Sequence, residues 1–166
     1  MKTTSPPAAA SVHALVPLAH VQDVDESLRF YALLGFKKRD VMARNAKTVW
    51  AWAACNAGPG DERAPAFNSG ANIMFAQAGP SLDADAQAVL FYMYCDDIRA
   101  LRQHLIDHGV TDAGPYCGQP LHLLPTAGKR LVFDVSTPAH MPLGELRIHD
   151  PDAYCILVGQ LAPRGR

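Results

Sequence analysis

Alternating and helical hydrophobic patterns divide the first half of the chain into a strand, a helix and three further strands. Residues 13–21 alternate as a strand does, and Asp23 then stands where a helix N-cap is expected, with Glu26 three residues later. Apolar residues recur at helical spacing up to Gly35, which is a typical helix end. Three more strands are predicted over residues 36–42, 48–53 and 70–77.

The same pattern begins again after residue 88. Residues 89–95 predict a strand, Asp97 predicts the start of a second helix, and Gly109 predicts its end. Asp97 and Gly109 are separated by the same distance along the chain as Asp23 and Gly35. Later strands are predicted over residues 116–119, 130–136, 144–149 and 154–160, with a turn at 150–153.

This repeat predicts an α+β fold of two tandem βαβββ modules. The helix of each module covers one face of its sheet and leaves the other face bare, so pairing the modules lets the bare faces enclose a cleft. We expect a disordered N-terminal tail over residues 1–11, a first module over 12–78, a linker over 79–87 and a second module over 88–161, together forming one domain.

Composition and charge narrow the functional classes. The chain has 166 residues, 49% of them hydrophobic and 19% charged, which is typical of one globular domain. Its formal net charge of -1 argues against nucleic-acid binding, which needs a basic excess. No long apolar segment predicts a membrane span or a signal peptide. The four cysteines form no C-x-x-C motif, and we expect reduced thiols in a cytoplasmic protein.

Motifs for nucleophilic and nucleotide chemistry are missing. The sequence contains no G-x-S-x-G elbow, P-loop or G-x-G-x-x-G, and neither Cys55 nor Cys117 has an assignable partner. His104 and His108 have the helical spacing of a metal-binding pair. Without a third ligand nearby in sequence, we interpret this pair as the solvated face of the second helix. We predict no catalytic residue.

The segment Val21–Phe36 resembles the opening signature of the vicinal-oxygen-chelate superfamily, which includes glyoxalases, bleomycin-resistance proteins and extradiol dioxygenases. It contains a V-x-D strand end, then S-L-x-F-Y and a terminal L-G-F. The turn Asp150–Ala153 is similar to the D-P-D-G turn of that superfamily, with Ala153 in the place of the usual glycine. The resemblance spans roughly residues 15–160 and is greatest to the bleomycin-resistance-like branch.

Enzymes of this superfamily usually bind a divalent metal through His, Gln or Glu on inner strands of both modules. The resemblance places Val16, Leu90 and Leu157 at three of those positions, and none of these side chains can coordinate a metal. In the fourth strand the polar candidates are Asn72 and Gln77, and one amide does not make a site that needs about three ligands. We therefore expect no cofactor, and no glyoxalase, dioxygenase or fosfomycin-transferase activity, because these depend on the metal.

Strand alternation instead predicts a cleft lined by aromatic and polar side chains. Residues two apart in a strand share a face, so the positions on the faces of the first, third, fifth and seventh strands can be read from the sequence. An aromatic and polar lining suits a flat or partly cationic organic molecule. The predicted ligand-binding residues are His20, Trp50, Trp52, Tyr92, Tyr94, Glu145, Arg147 and His149.

Each of these residues also has a purely structural interpretation. The two tryptophans can be core or dimer-interface aromatics, and the two tyrosines can pack as ordinary strand residues. The polar residues at 145, 147 and 149 can form a solvated strand face. His20 can cap the neighbouring turn.

The leading hypothesis is a metal-independent protein that sequesters a small aromatic or amphipathic molecule, such as an antibiotic or an aromatic metabolite. The resemblance also implies a homodimer. The alternative is a lyase or dioxygenase of the same superfamily with a relocated divalent metal, and a third possibility is an interaction domain whose own side chains fill the cleft. Residues 56–69 are long enough for a lid or an insertion. Ligands of a relocated metal would come from His20, Asn72, Gln77, Glu145 and His149.

Overall fold

Two mixed sheets and two helices make up the protein. The computed structural model describes residues 16–55, 70–78, 90–118 and 130–162. The expected tail, the linker and the segment 56–69 lie outside the described residues. The elements are β1 (Leu18–Val21), α1 (Val24–Leu33), β2 (Lys37–Arg44), β3 (Lys47–Ala54), β4 (Asn72–Gln77), β5 (Leu90–Cys95), α2 (Ile98–Asp107), β6 (Thr111–Asp112), β7 (Leu131–Val132), β8 (Glu145–His149) and β9 (Cys155–Gln160).

Each module forms its own sheet. The first sheet has the strand order β1-β4-β3-β2, and the second has the order β5-β9-β8-β7-β6. The first strand of each module lies parallel to the last strand of that module, β1 beside β4 and β5 beside β9. The predicted α+β fold of two successive modules is therefore confirmed, and the two sheets do not close into a barrel.

Both helices begin and end where the sequence predicts. The Asp23 Oδ1 atom accepts a hydrogen bond from the Glu26 amide at 3.0 Å, and the Asp97 side chain caps α2 in the same way. Gly35 and Gly109, which follow the helices, have φ angles of 88° and 82°, in the left-handed region that favours glycine. No helix in the described ranges is long and apolar enough to cross a membrane.

The apolar stripe of α1 fills the core of the first module. Phe30 and Tyr31 are fully buried, and the Tyr31 ring lies 4.8 Å from the Phe75 ring and 5.7 Å from the Phe36 ring, centroid to centroid. Aromatic pairs at such distances add to the free energy of burial. In α2 the buried apolar residues are Ile98 and Leu105, two helical turns apart.

The strand predicted over residues 116–119 is wrong. The described part of that segment, residues 116–118, has no strand structure, and a short strand, β6, lies earlier at Thr111–Asp112. Gly114 and Gly118 have φ angles of 65° and 77°, which no extended strand tolerates, and Pro115 has no amide to donate to a neighbouring strand. The aromatic and polar side chains around Tyr116 therefore do not mark a strand.

Two other predicted strands are shorter than expected. The first begins at Leu18, although alternation predicted it from residue 13; residues 13–15 lie outside the description. Of the predicted strand over 130–136, only Leu131–Val132 is regular. The ladder with β8 resumes at an isolated bridge between Ser136 and Glu145.

The turn between β8 and β9 joins the two modules. The Tyr31 hydroxyl of α1 donates to the Asp150 Oδ2 atom at 3.2 Å, and the Gln22 amide donates to the Asp152 Oδ1 atom at 2.8 Å. A single cluster of buried apolar side chains also contains residues of both modules. The Asp-Pro-Asp turn that carries part of the sequence resemblance thus supplies polar contacts between the modules.

Within this turn, Ala153 occupies a glycine-like conformation. Its φ angle is 67°, and its amide donates to the Asp150 carbonyl at 3.0 Å. The Asp150 Oδ1 atom accepts from the amides of Asp152 and Tyr154 at 3.0 and 2.9 Å. These side-chain bonds hold the turn although its fourth residue carries a Cβ.

Candidate functional site

The face of each sheet opposite its helix is here called its open face. In the first sheet His20 is exposed on this face, whereas its neighbours Ala19 and Val21 are buried towards α1. Trp50 and Trp52 are partly buried and alternate with buried alanines of β3. These three candidate residues therefore share the open face of the first sheet.

Strand register gives the spacing among these side chains. In adjacent strands Trp50 lies beside Ala76, and Ala76 lies beside His20. Neighbouring strands are about 4.8 Å apart, so the Cα atoms of Trp50 and His20 are about 10 Å apart. Only the methyl group of Ala76 stands between the two side chains. Only the small residue Ala76 therefore separates an indole from an imidazole along this row of the open face.

The register also resolves the two polar candidates of β4. Asn72 lies on the open face, where its Oδ1 atom accepts a hydrogen bond from the Trp52 indole at 2.9 Å. Gln77 is the partner of Val21, whose side chain is buried towards α1, so Gln77 lies on the opposite face. The two amides therefore do not meet at one site.

The open face of the second sheet carries the other candidate residues. Tyr92 and Tyr94 are 38% and 59% exposed, with ring centroids 5.3 Å apart. Across the sheet Tyr92 lies beside Leu157, which lies beside Arg147. In the next row of side chains on the same face, Tyr94 lies beside Gly159, which lies beside Glu145.

Glu145 is the acceptor of a small hydrogen-bonded cluster. Its Oε2 atom accepts from the Tyr92 hydroxyl at 2.8 Å and lies 3.0 Å from the His140 Nε2 atom. Partial burial, with the neighbouring Glu145, raises the pKa of Tyr92 to about 12. A Cβ at Gly159 would lie 3.1 Å from the Tyr92 hydroxyl and 2.7 Å from the Met141 Cε atom, so these two side chains would have to shift.

Arg147 is held by an aromatic ring and a thiol. Its guanidinium carbon lies 4.0 Å from the centroid of the Tyr116 ring, and its Nη1 atom donates to the Cys155 Sγ atom at 2.9 Å. Burial raises the pKa of the Cys155 thiol, and the positive charge of Arg147 acts in the opposite direction. Sulfur and a neutral ring restrain this cation without neutralising it.

His149 lies on the same side of β8 as Arg147 but is covered. It is only 3% exposed, and its ring lies 5.8 Å from the Phe133 ring. Its Nδ1 atom lies 3.3 Å from the Ala153 carbonyl oxygen, so this nitrogen carries the hydrogen. Among the described residues its Nε2 atom has no hydrogen-bond partner. Burial lowers the pKa of His149 to about 4, so the ring is neutral at pH 7.

The predicted residues thus form two groups, one on each open face, and several residues that contact them, among them Tyr116, His140 and Met141, were not predicted. His140 and Met141 follow no periodic pattern, and Tyr116 was assigned to a strand. No local signal in the sequence places them beside residues 92, 145 or 147. The first group is His20, Trp50 and Trp52, and the second is Tyr92, Tyr94, Glu145, Arg147 and His149.

A groove at the seam between the modules connects the tyrosines with the first module. Its volume is about 390 Å³ and its walls are mainly apolar. A cavity of this size can hold a small organic group. The lining residues are Leu34, Phe36, Cys55, Gly70, Ala71, Tyr92, Met93 and Tyr94.

The side chains of the described ranges do not assemble a conventional metal centre. There, no group of three or more His, Cys, Asp or Glu residues could hold a metal ion. Val16 and Leu157, at two positions that the resemblance assigns to metal ligands, are partly buried apolar residues. His104 and His108 lie on the exposed side of α2 with ring centroids 4.2 Å apart, which offers two donors at most.

Solved structures of low sequence identity share this fold. A bleomycin-binding protein complexed with bleomycin has a TM-score of 0.55 and 17% identity, over 89% of this chain and 98% of that chain. An antibiotic-binding protein from Streptomyces has a TM-score of 0.60 and 15% identity, over 92% and 98%. A glyoxalase-related enzyme from Clostridium phytofermentans has a TM-score of 0.60 and 13% identity, over 94% and 100%.

No family model and no curated protein matches the sequence. At these identities the structural likeness establishes the fold, while function has to be argued from the site. The chain has the fold that bleomycin-resistance and glyoxalase-related proteins share, which confirms the fold that the sequence resemblance implied.

Proposed function

We propose that this chain is a bleomycin-resistance-like protein that binds a small aromatic or amphipathic molecule on its open faces without a metal ion. The observation that carries the proposal is the exposure of large aromatic and apolar side chains on those faces. Tyr94 and Leu18 are each at least half exposed. A folded protein leaves such a surface open where a ligand or a partner covers it.

The fold neighbours are consistent with such a role. One of them is complexed with bleomycin and another is described as antibiotic-binding. Sequestration would protect a cell by lowering the free concentration of a toxic compound, without any chemical step. This chain would then contribute to antibiotic resistance or to the buffering of an aromatic metabolite.

Metal independence is proposed on the residue types at the open faces. Leu157 lies in the middle of the second open face, between Tyr92 and Arg147, where an oxygen or nitrogen ligand would be needed. The polar groups beside it are already engaged, since Glu145 accepts from Tyr92 and Arg147 donates to Cys155.

A homodimer and a cytoplasmic location complete the proposal. One open face from each of two copies would enclose a ligand that a single open sheet leaves half solvated. The four cysteines Cys55, Cys95, Cys117 and Cys155 are free thiols, as is usual in a reducing compartment.

A ligand screen by thermal unfolding tests the binding function. Untagged protein is screened against aromatic antibiotics and aromatic metabolites, and a true ligand raises Tm because it binds only the folded state. The shift should be reduced in Tyr94→Ser and unchanged in His104→Ser, which alters the exposed side of α2. If no compound raises Tm, the chain is better explained as an interaction domain.

Metal analysis of the same untagged protein tests whether ligand binding is independent of a metal ion. We expect less than stoichiometric Fe, Mn, Ni or Zn, and equal ligand affinity with and without a chelator. A stoichiometric metal whose removal abolishes ligand binding would instead favour the lyase or dioxygenase alternative.

A further inference from the structure

Arg147 is a partly buried cation without a carboxylate partner in the described part of the chain. Its contacts there are the Tyr116 ring at 4.0 Å and the Cys155 Sγ atom at 2.9 Å. The ion pairs found in the described residues involve Arg102 and His140 instead. Taking a charge out of water costs free energy that a neutral ring and a thiol offset only in part.

The carboxylate nearest in sequence on the same face is directed elsewhere. Glu145 lies two residues before Arg147 on β8, but its Oε2 atom accepts from Tyr92 and lies 3.0 Å from the His140 imidazole. Residues 119–129, which follow the Tyr116 segment, contain no Asp or Glu. The described residues therefore supply no counter-charge for Arg147, and the acidic group of a bound molecule would supply one.

The contacts of the guanidinium also prepare it to bind such a group. Stacking on Tyr116 holds the guanidinium plane, and the bond to Cys155 engages one nitrogen. Arginine has five N–H donors in a fixed fork, so further donors remain for a carboxylate or a similar oxyanion. A side chain restrained in this way loses little conformational entropy when a ligand binds.

The neighbouring row of side chains indicates what else the ligand carries. Tyr92, Leu157 and Arg147 lie side by side on three adjacent strands. Because neighbouring strands are about 4.8 Å apart, the Cα atoms of Tyr92 and Arg147 are about 10 Å apart, and the apolar side chain of Leu157 stands between them. A flat aromatic body over Leu157 can contact the Tyr92 ring while its acidic group reaches Arg147.

We infer that the ligand of the proposed binding function is an aromatic anion whose acidic group pairs with Arg147. Tyr116 is a positioning residue, which acts by holding the guanidinium. This inference rests on the proposed function and makes it more specific. A flat aromatic lining alone would suit a cation equally well. The guanidinium of Arg147 is what favours an anion.

Three compounds of one shape and different charge test the inference with the intact chain. They are 2-naphthoate, 2-naphthamide and 2-naphthamidinium, and their affinities are measured by calorimetry and by quenching of tryptophan fluorescence. We expect the anion to bind about tenfold more tightly than the neutral amide, as is typical of a charge-assisted hydrogen bond, and the cation to bind most weakly. Added salt should narrow the difference.

Variants separate the charge of Arg147 from its packing. Arg147→Gln should remove the preference for the anion and leave the affinity for the amide nearly unchanged, while Arg99→Gln on α2 should change neither. Tyr116→Ala should weaken anion binding, and Tyr116→Phe should restore it because the ring is kept. Thermal unfolding of each variant verifies that it folds.

The outcomes distinguish this inference from the function on which it rests. Equal binding of the three compounds would overturn the inference and leave aromatic binding intact. Tightest binding of the cation would overturn it as well and would assign the charge recognition to Glu145. Binding of none of the three would overturn it, while the broader ligand screen decides the binding function separately.

Discussion

Asp150 is a buried carboxyl group at the contact between the modules. Burial raises its pKa to about 7, and the hydrogen bond from the Tyr154 amide only partly opposes this effect. Its Oδ2 atom accepts from the Tyr31 hydroxyl of the other module. The folded chain therefore retains a proton on this group at pH values where the unfolded chain has released it.

Replacing Asp150 by Asn is expected to change the pH dependence of stability. For wild type this group makes the free energy of unfolding fall as the pH rises from about 4 to about 7, because the folded state binds more protons. The side-chain amide of the variant would keep an acceptor for the two turn amides but could not ionise. The stability of Asp150→Asn relative to wild type should therefore increase over that pH range, as measured by urea unfolding.

His149 gives the opposite slope and has to be separated from this effect. Its pKa is lowered to about 4 by burial, so its contribution to stability is present above about pH 6.5 and is lost as the pH falls towards 4. In the variant without Asp150 this His149 contribution should make the free energy of unfolding rise from pH 4 to 6.5, opposed in part by Asp152, whose pKa burial also raises. Asp40→Asn, on the exposed side of β2, serves as the control. If the relative stability of Asp150→Asn were independent of pH, Asp150 would not titrate as proposed.

Among the secondary structure elements, the β8–β9 hairpin combines a family-like turn with an unfavourable residue. Ala153 has a φ angle of 67°, a conformation that is costly for residues with a Cβ and freely accessible to glycine. The side chain of Asp150 holds the turn through two backbone amides. The hairpin is therefore formed at the expense of local strain.

Ala153→Gly is expected to relieve this strain. We expect the variant to gain about 1 kcal/mol in the free energy of unfolding, since the cost of the left-handed conformation disappears. The matched control is Ala100→Gly in the exposed part of α2, which should lose about 1 kcal/mol. Equal destabilisation by both changes would contradict a strained turn.

Helix ends were predictable from the sequence and the segment 116–118 was not, because the first depend on residues close together in the chain and the second does not. The caps at Asp23 and Asp97 and the glycines at helix ends act within four residues, so the sequence predicts them well. The segment 116–118 has strand-like residues but follows Gly114 and Pro115, which prevent a regular ladder. Its actual role, covering Arg147, depends on a strand 31 residues later in the chain.

At the scale of the whole molecule, the open faces present apolar surface from both modules. Leu18 of the first sheet is 50% exposed, and Tyr94 of the second sheet is also exposed. Surfaces of this kind are usually covered by a partner or a ligand. The proposed homodimer would cover both faces at once.

A charged substitution on the open face of the first sheet tests this assembly. Wild type is expected to have the mass of a dimer by light scattering after gel filtration. Leu18→Glu should shift it towards the monomer, since a carboxylate would have to lose its water at the interface. His104→Glu, on the far side of α2, should leave the dimer intact. A monomeric wild type at all concentrations would exclude the dimer.

The sequence by itself determined the repeated module, the starts and ends of both helices, and which face of each strand carries Tyr92, Tyr94, Glu145 and Arg147. These features depend on residues close together in the chain, through capping and through the two-residue period of a strand. They therefore predicted the α+β fold and which of these side chains share a strand face, but not the partners of those side chains.

Only the tertiary structure decided how those side chains are used. It brings Tyr116 onto Arg147, places His140 beside Glu145, and buries His149 against Phe133. Each of these contacts depends on the path of segments without a regular pattern, to which local rules do not apply. Burial also lowers the pKa of the His149 imidazole and raises that of the Asp150 carboxyl, because desolvation is a property of the folded surroundings and not of the residue.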